Sequence, residues 1–288
     1  MPSLIDIRRR IRSVKNTQQI TKAMKMVSAA KLRRAQDRVI SARPYSGVLR
    51  NVLADFAAAV ANDEEAGENP LLARRPEQSV LLVLITGDKG LAGAFNTNLI
   101  KGAQRFQAER SGASFKLELI GRKGRDFFRK RGAQIAGEHI NLAAKVVYGD
   151  IAAIAQKAME MYRAAEIDAV YVLYNEFKSV MSQKLTMTRV LPVELPDPGD
   201  AAPLDYTFEQ PPAEMLGELL PRYVEMEFYH AMLESAAAEH AARMTAMEAA
   251  TSNAAEMIDK LTLYMNRVRQ ASITKEIIEV VSGAAAAE

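Results

Sequence analysis

The sequence predicts a small α/β domain placed between two long helices that pair with each other as an antiparallel coiled coil. Residues 3–43 and 222–282 contain neither glycine nor proline, so each stretch can form one uninterrupted helix. Between these stretches, apolar runs of strand length alternate with amphipathic segments of helix length. A long helix in water depends on packing of its apolar stripe, so two such helices at opposite ends of one chain favour mutual pairing.

The first helix has a clear start signal and an apolar stripe. Ser3 and Asp6 have the spacing of an N-terminal capping box. The stripe continues past Gln18 and Thr21, and the segment "RPYSG" at 43–47 is expected to end the helix. Apolar residues recur at steps of three and four on one face: Leu4, Ile7, Ile11 and Val14, followed by Ile20, Met24 and Val27.

The middle of the chain predicts a small Rossmann-like domain with a mainly parallel sheet. Strands are expected at 79–86, 114–121 and 168–177, with a fourth, alternating strand at 182–193. The intervening helices run to about Arg110, through the basic segment "RKGRDFFRKR", and over 150–166. Strands that alternate with helices are typical of parallel α/β sheets.

The last helix carries a heptad seam. At about 1.5 Å per residue, the segment 222–282 would be on the order of 90 Å long. The seam positions are spaced four and three residues apart: Met247, Thr251, Ala254, Ile258, Leu261, Met265 and Val268.

Charge supports pairing within the chain rather than between two copies of it. The net charge is +3, but residues 1–50 hold thirteen Lys or Arg against Asp6 and Asp37, which gives +11. Residues 211–288 hold six Lys or Arg against twelve Asp or Glu, which gives −6. Each segment would repel its own copy in a parallel dimer, whereas the two segments attract each other. We therefore divide the chain into a coiled-coil helix at 1–60, a linker at 61–76, an α/β domain at 77–210 and a second coiled-coil helix at 211–288.

The composition excludes several kinds of chemistry. The chain has no Cys, which excludes disulfides, thiolate ligands and thiol nucleophiles. Its three His (His139, His230 and His240) are far apart in sequence and are interpreted as surface or helix-face residues. No apolar run reaches the roughly 18 residues that a membrane-spanning helix needs. Neither a Ser-His-Asp set nor a pair of catalytic carboxylates emerges, so a mechanical or scaffolding role is favoured and no cofactor is expected.

Two segments leave other functions open. The segment "GDKGLAGAFN" at 87–96 joins a strand to a helix, where backbone amides can hold phosphate. Its glycines fit neither nucleotide-binding fingerprint, so we interpret it as a tight connection. The basic segment at 8–15 would suit nucleic acid, an acidic lipid surface or an acidic protein, although no aromatic side chains are interleaved for stacking on bases. A coiled-coil adaptor with a ligand-binding head and a nucleic-acid-binding protein therefore remain alternatives.

Three motifs, in one order, resemble the γ subunit family of F-type ATP synthases. They are "IRRRIRSVKNTQQITKAMKMVSAAKLRRAQ" at 7–36, "ITGDKGLAGAFN" at 85–96 and "ITKEIIEVVSGAAA" at 273–286. The resemblance covers the whole chain and preserves the order of helix, α/β domain and helix. It implies a non-catalytic rotor shaft inside a ring of three α and three β subunits. The α/β domain would form a foot with the ε subunit on the c-ring of the membrane sector.

The resemblance also implies which residues contact partners. Lys22, Met24 and Lys25 would lie near an acidic lever loop of β, and Arg269, Gln270 and Thr274 near a second β loop. Arg243 matches a basic position of the family on the same helix. The segment after Val268 runs past its partner helix and would turn in an apolar collar of the ring. The expected location is peripheral, at the cytoplasmic face of a bacterial inner membrane, with no nucleic acid bound.

Overall fold

A computed structural model of the chain describes residues 3–59, 69–195 and 210–285. Two helices and a five-stranded sheet dominate these residues. Helix α1 covers Leu4–Ala59 and helix α5 covers Pro212–Ala285. The elements between them are β1 (Ser79–Ile85), α2 (Phe95–Glu109), β2 (Ser114–Ile120), α3 (Arg122–Arg129), β3 (Ile135–His139), a 3₁₀ turn (Leu142–Ala144), α4 (Tyr148–Arg163), β4 (Ala169–Phe177) and β5 (Gln183–Leu191).

The sheet has the mainly parallel order that the sequence predicts. Its strand order is β3-β2-β1-β4-β5, with parallel pairing everywhere except between β4 and β5. The central strand β1 is buried on both faces, which accounts for its continuous run of Val, Leu and Ile. Strand β3 was not predicted, because it is a short edge strand without a strong alternating pattern.

The two faces of the sheet are covered by different helices. Leu81, Val83 and Ile85 pack in a core that includes α4 and parts of α1 and α5. Val80, Leu82 and Leu84 point to the opposite face, where the side chains of α2 dominate. Alternate residues of one strand therefore serve two separate cores, as the two-residue period of a β-strand requires.

Helix α1 does not end at 43–47, and that expectation was wrong. It continues through Pro44 and Gly47 to Ala59. Pro44 removes one backbone hydrogen bond, but Leu49, Leu53 and Phe56 are buried in the core of the α/β domain. Burial of these three side chains outweighs a local break signal, since tertiary packing routinely overrides helix propensity.

The chain separates into two compact units. One unit spans Ala29–Arg243 and contains the sheet, and the other consists of Met1–Ser28 with Met244–Glu288. The predicted linker lies partly outside the described residues, and its described part packs on the α/β domain through the buried side chain of Leu71. Most of the proline-rich stretch that was expected to close the domain also lies outside them.

The second unit is an antiparallel coiled coil. Thr21 and Thr251 place their hydroxyl oxygens 2.8 Å apart, and Lys25, four residues later, forms an ion pair with Glu248, three residues earlier. Partners that advance in opposite directions along the two helices define antiparallel pairing. The predicted seam of α5 lies on the buried side, with Met247 and Ala254 its most buried members.

The predicted stripe of α1 is correct only in its first half. Ile20 and Val27 are 60% and 57% exposed. From Val14, the heptad steps instead continue through polar side chains, listed here in order: Gln18, Thr21, Lys25 and Ser28. Thr21 and Ser28 are buried because their hydroxyls bond carbonyl oxygens of their own helix, those of Gln18 and Met24. A seam assigned from apolar residues alone therefore misses Thr and Ser side chains that are buried with their hydroxyls hydrogen-bonded to the backbone.

Candidate functional site

The predicted contact residues near the start of α1 lie on the coiled coil. Lys22 is exposed, and Met24 and Lys25 are half-buried. Lys25 is held by Glu248, whose side chain is largely exposed, so this pair lies at the edge of the seam. The ammonium group of Lys22 is therefore exposed to solvent, whereas that of Lys25 is paired with a carboxylate of α5.

The second predicted group lies where α5 runs past α1. The register places Val268 opposite the first turn of α1, and the next side chains are nearly all exposed. Arg269, Gln270 and Thr274 are exposed, although the Thr274 hydroxyl donates to the carbonyl oxygen of Gln270. A series of exposed apolar side chains follows: Ile273, Ile277, Ile278, Val280 and Val281. This terminal segment of α5, residues 269–282, thus has charged and apolar side chains without cover from the described part of the chain.

Arg243 has a different environment from the other predicted contacts. It is 9% exposed, and its Nη2 lies 2.5 Å from Oε1 of Glu239, which is also buried. The same Nη2 is 3.5 Å from the carbonyl oxygen of Gly90, and Nη1 is 3.4 Å from Nδ1 of His240. The structure therefore places Arg243 within the α/β unit.

The glycine-bearing loop after β1 is filled by contacts within the chain. Gly87 donates its N–H to Oδ1 of Asn96, and Asp88 accepts the backbone N–H groups of Arg122 and Asn141. A Cβ atom on Gly87 would lie 2.8 Å from Oε1 of Glu239. These contacts favour the interpretation of the loop as a tight strand-to-helix connection.

A buried carboxylate in β2 was missed from the sequence. Glu118 is 2% exposed and lies 2.6 Å from Nε2 of His139 and 3.0 Å from Nζ of Lys157. Burial pushes the pKa of Glu118 up, but the hydrogen bonds from His139 and Lys157 outweigh burial, so the net pKa lies below its ordinary value. The one acidic residue in "FKLELI" was the available signal, because the buried part of an interior strand rarely carries an unpaired charge.

All three histidines are half-buried rather than plain surface residues. His139 contacts Glu118, and His230 lies 3.5 Å from Glu234, another carboxylate that is 2% exposed. Nowhere in the described ranges do three or more His, Asp or Glu side chains gather in an arrangement suited to a metal ion. Among the same residues, no helix combines the length and apolarity that crossing a bilayer requires.

Comparisons with known proteins agree with this architecture. The profile of a family described as ATP synthase matches residues 3–287. The ATP synthase gamma chain of Solibacter usitatus (strain Ellin6076) is 77% identical over 288 residues, which are 100% of each chain. That of Anaeromyxobacter sp. (strain Fw109-5) is 52% identical over 289 residues, which are 99% of each chain.

Solved structures show the same fold. A chain from the central stalk and c-ring of Tetrahymena thermophila mitochondrial ATP synthase has a TM-score of 0.63 at 27% identity, covering 80% of this chain and 99% of that one. A chain from Euglena gracilis mitochondrial ATP synthase has a TM-score of 0.68 at 18% identity, covering 98% and 94%, and it supports the fold alone. The chain therefore belongs to the ATP synthase gamma chain family.

Proposed function

We propose that this chain turns as the central shaft inside a ring of three α and three β subunits and links that ring to a membrane-embedded c-ring. The observation that carries the proposal is the terminal segment of α5, which extends past its partner helix with its side chains uncovered. Exposed apolar side chains at several successive positions mark a surface that a partner covers. As a gamma chain, the protein is a rotor subunit rather than a catalytic one, and ATP chemistry belongs to β.

The contacts with the ring fall into two groups. Arg269, Gln270 and Thr274 provide hydrogen-bond donors and acceptors on the terminal segment, and an acidic β loop would complement the arginine. Lys22, Met24 and Lys25 lie on the coiled coil, where an acidic lever loop would meet the exposed Lys22 ammonium. Ile20 and Val27 lie on the same side of α1 as Met24 and are exposed, so they add apolar area beside Met24.

The α/β unit forms the foot of the rotor in this proposal, with ε and the c-ring as its partners. The Tetrahymena chain that comes from a central stalk and c-ring supports the c-ring contact. We place the assembled protein at the cytoplasmic face of a bacterial inner membrane as a peripheral subunit, because both gamma chains described above come from bacteria. The basic face of α1 is assigned to α5 and β rather than to nucleic acid, since Lys25 and Arg43 already pair with acidic side chains of α5.

Reconstitution with α and β subunits tests the function. We expect ATP hydrolysis by the assembled complex to require this chain. An assembled complex whose hydrolysis is the same with and without the chain would refute the rotor assignment. Saturable nucleotide binding by the isolated chain would support the adaptor alternative, and strongly salt-dependent binding of DNA would support the nucleic-acid alternative.

Paired substitutions on α5 test the contact residues. Arg269→Ala or Gln270→Ala should lower assembly or turnover at least fivefold without changing the unfolding of the isolated chain, because these side chains are exposed. Arg267→Ala is the control, since Arg267 is also exposed but lies about 200° around the helix from Arg269. Equal effects of Arg267→Ala and Arg269→Ala would argue against a specific contact.

Met24→Lys tests the coiled-coil contact. The added cation would lie beside Lys25 and near the proposed acidic lever, and we expect it to change the ratio of ions pumped to ATP hydrolysed. An unchanged ratio in vesicles that contain the complete complex would leave Met24 as a packing residue only.

A further inference from the structure

Helix α5 touches the α/β sheet through two buried carboxylates. Glu234 is 2% exposed, and its Oε2 accepts the backbone N–H of Phe177, the last residue of β4, at 3.0 Å. Glu239 is 6% exposed and lies against Gly87, two residues after the end of β1. Strands β1 and β4 are neighbours in the sheet. The two carboxylates therefore meet the carboxyl ends of adjacent central strands.

Each carboxylate also has an arginine beside it. Oε1 of Glu234 is 3.5 Å from Nη2 of Arg43 in α1 and 3.5 Å from Nε2 of His230. Oε1 of Glu239 is 2.5 Å from Nη2 of Arg243, which in turn approaches the carbonyl oxygen of Gly90. Glu234 thus connects three elements, and the Glu239–Arg243 pair connects α5 to the loop after β1.

The spacing of the two contacts suits two adjacent strands. Five residues of α-helix rise about 7.5 Å, which is somewhat more than the roughly 4.8 Å between neighbouring strands. A helix that is held at one point can pivot about it, whereas two separate points resist both pivoting and sliding. The geometry therefore restrains rotation of α5 against the sheet within this unit.

The packing between these contacts supplies less restraint. Between the two carboxylates, α5 buries only small side chains: Ser235, Ala236, Ala237 and Ala238. Burial of small apolar side chains is favourable but non-directional, so a helix can shift over them with little loss. Hydrogen bonds weaken steeply with misalignment, and a buried charge that loses its partner is strongly destabilising. The polar contacts are the directional part of the interface.

We infer that Glu234 and the Glu239–Arg243 pair form a polar latch that carries torsional load between the sheet and α5. The inference rests on the proposed rotor function and deepens it, because a shaft transmits torque only if its foot does not turn relative to it. In this role Glu234, Glu239 and Arg243 are positioning residues that act on the shaft, and none of them is required to touch nucleotide. The latch also gives Arg243 a function within its own chain.

The test measures torsional stiffness in the complex assembled with α and β. The chain has no native Cys, so Ser111→Cys, in the exposed turn after α2, gives one attachment point on the foot for a bead. The complex is fixed through its ring, rotation is arrested with nucleotide, and the angular variance of the bead is recorded. Variance is inversely proportional to the torsional stiffness of the whole path between ring and bead, so a softer connection between the sheet and α5 raises it.

Isosteric charge removal is the decisive change. We expect Glu234→Gln with Glu239→Gln to raise the angular variance at least twofold, while ATP hydrolysis without load stays within twofold of the wild type. Glu218→Gln is the matched control, because Glu218 is an exposed glutamate of the same helix, and it should leave the variance unchanged. Wild-type variance in the double variant would overturn the latch.

Other outcomes separate the latch from stability and from the rotor function itself. If the double variant does not assemble, each single variant should raise the variance by a smaller factor, and wild-type variance in both would again overturn the proposal. Hydrolysis that does not depend on the wild-type chain would refute the rotor function, whatever the variance. A rise in variance after Glu218→Gln equal to that of the double variant would show general softening of α5 and would also overturn the latch.

Discussion

His240 shows how one buried position sets a pH dependence. It is half-buried on α5 beside Arg243. Burial, reinforced by the positive charges of Arg243 and Lys31, lowers the pKa of His240 from 6.5 to about 4. The folded chain therefore holds this imidazole neutral at pH values where the unfolded chain has already taken up a proton.

The sign of the resulting effect on stability is defined. Below pH 6.5 the unfolded state binds more protons than the folded state, so the free energy of unfolding falls as the pH falls towards 4 and this contribution then levels off. We expect a loss on the order of 2 kcal/mol over this window. Urea unfolding of the isolated chain between pH 4 and 7 measures it, and His240→Gln should flatten the curve. An equally steep curve in His240→Gln would contradict the assignment.

At the residue scale, the sequence predicted the chemical type of a site residue better than the surroundings of its side chain. The exposed positions of Lys22, Arg269 and Gln270 agree with their prediction as contact residues, although their contacts remain predictions. Glu118, Glu234 and Glu239 were not predicted as buried. In a sequence, every glutamate indicates a polar position. Whether its side chain is buried depends on partners far away in sequence, such as Lys157 for Glu118.

Helix α1 is an element in which local and tertiary preferences conflict. Pro44 lies within it and lacks an N–H group. Inside a helix, a proline ring generally clashes with the carbonyl oxygen four residues earlier. The helix persists because its following turns bury Leu49, Leu53 and Phe56. Packing thus offsets the energetic cost of the proline. Replacement of Pro44 should remove that cost and raise the free energy of unfolding.

Pro44→Ala should raise the free energy of unfolding of the isolated chain by about 1–3 kcal/mol. The control is Pro70→Ala, because Pro70 occupies a turn in which Leu72 donates its N–H to the carbonyl oxygen of Asn69. Loss of proline there should lower stability by up to about 1 kcal/mol. Denaturant titration measures both changes, and a destabilised Pro44→Ala variant would show that the proline suits its position.

The strands and short helices were the easiest elements to predict. Strand β1 carries a continuous apolar run between turn signals, and its predicted bounds differ from the observed ones by one residue. The second half of the α1 seam was predicted wrongly, because Thr21 and Ser28 satisfy their hydroxyls within the helix and can be buried. The spacing of apolar residues does not show which hydroxyls form hydrogen bonds within their own helix.

At the scale of the whole molecule, we expect folding and partner binding to use different parts of α5. The seam side chains of α5 from Met247 to Val268 are buried or half-buried, whereas the side chains of 269–282 are exposed apart from the half-buried Ser272. A chain shortened to end at Val268 should therefore unfold with a free energy within about 1 kcal/mol of the full chain. The same truncation should lower hydrolysis by the complex with α and β, because it removes the proposed contacts.

A longer truncation provides the contrast. A chain that ends at Tyr264 also lacks Met265 and Val268, which are half-buried in the seam, and it should lose a further 1–2 kcal/mol or so. Thermal and urea unfolding of the three chains give the comparison. Equal losses for both truncations would mean that the terminal segment of α5 stabilises the fold, contrary to its exposure.

The sequence by itself determined the class of the molecule: two end helices of opposite charge, a mainly parallel sheet between them and membership of a recognisable family. These features follow from periodicity, composition and short motifs, which are local properties of the chain. The tertiary structure alone decided that α1 continues past Pro44, that polar side chains fill the second half of its seam, and that Glu234 and Glu239 meet two strand ends. Each of these depends on groups that are distant in sequence and become neighbours only when the backbone folds, so local patterns cannot reveal them.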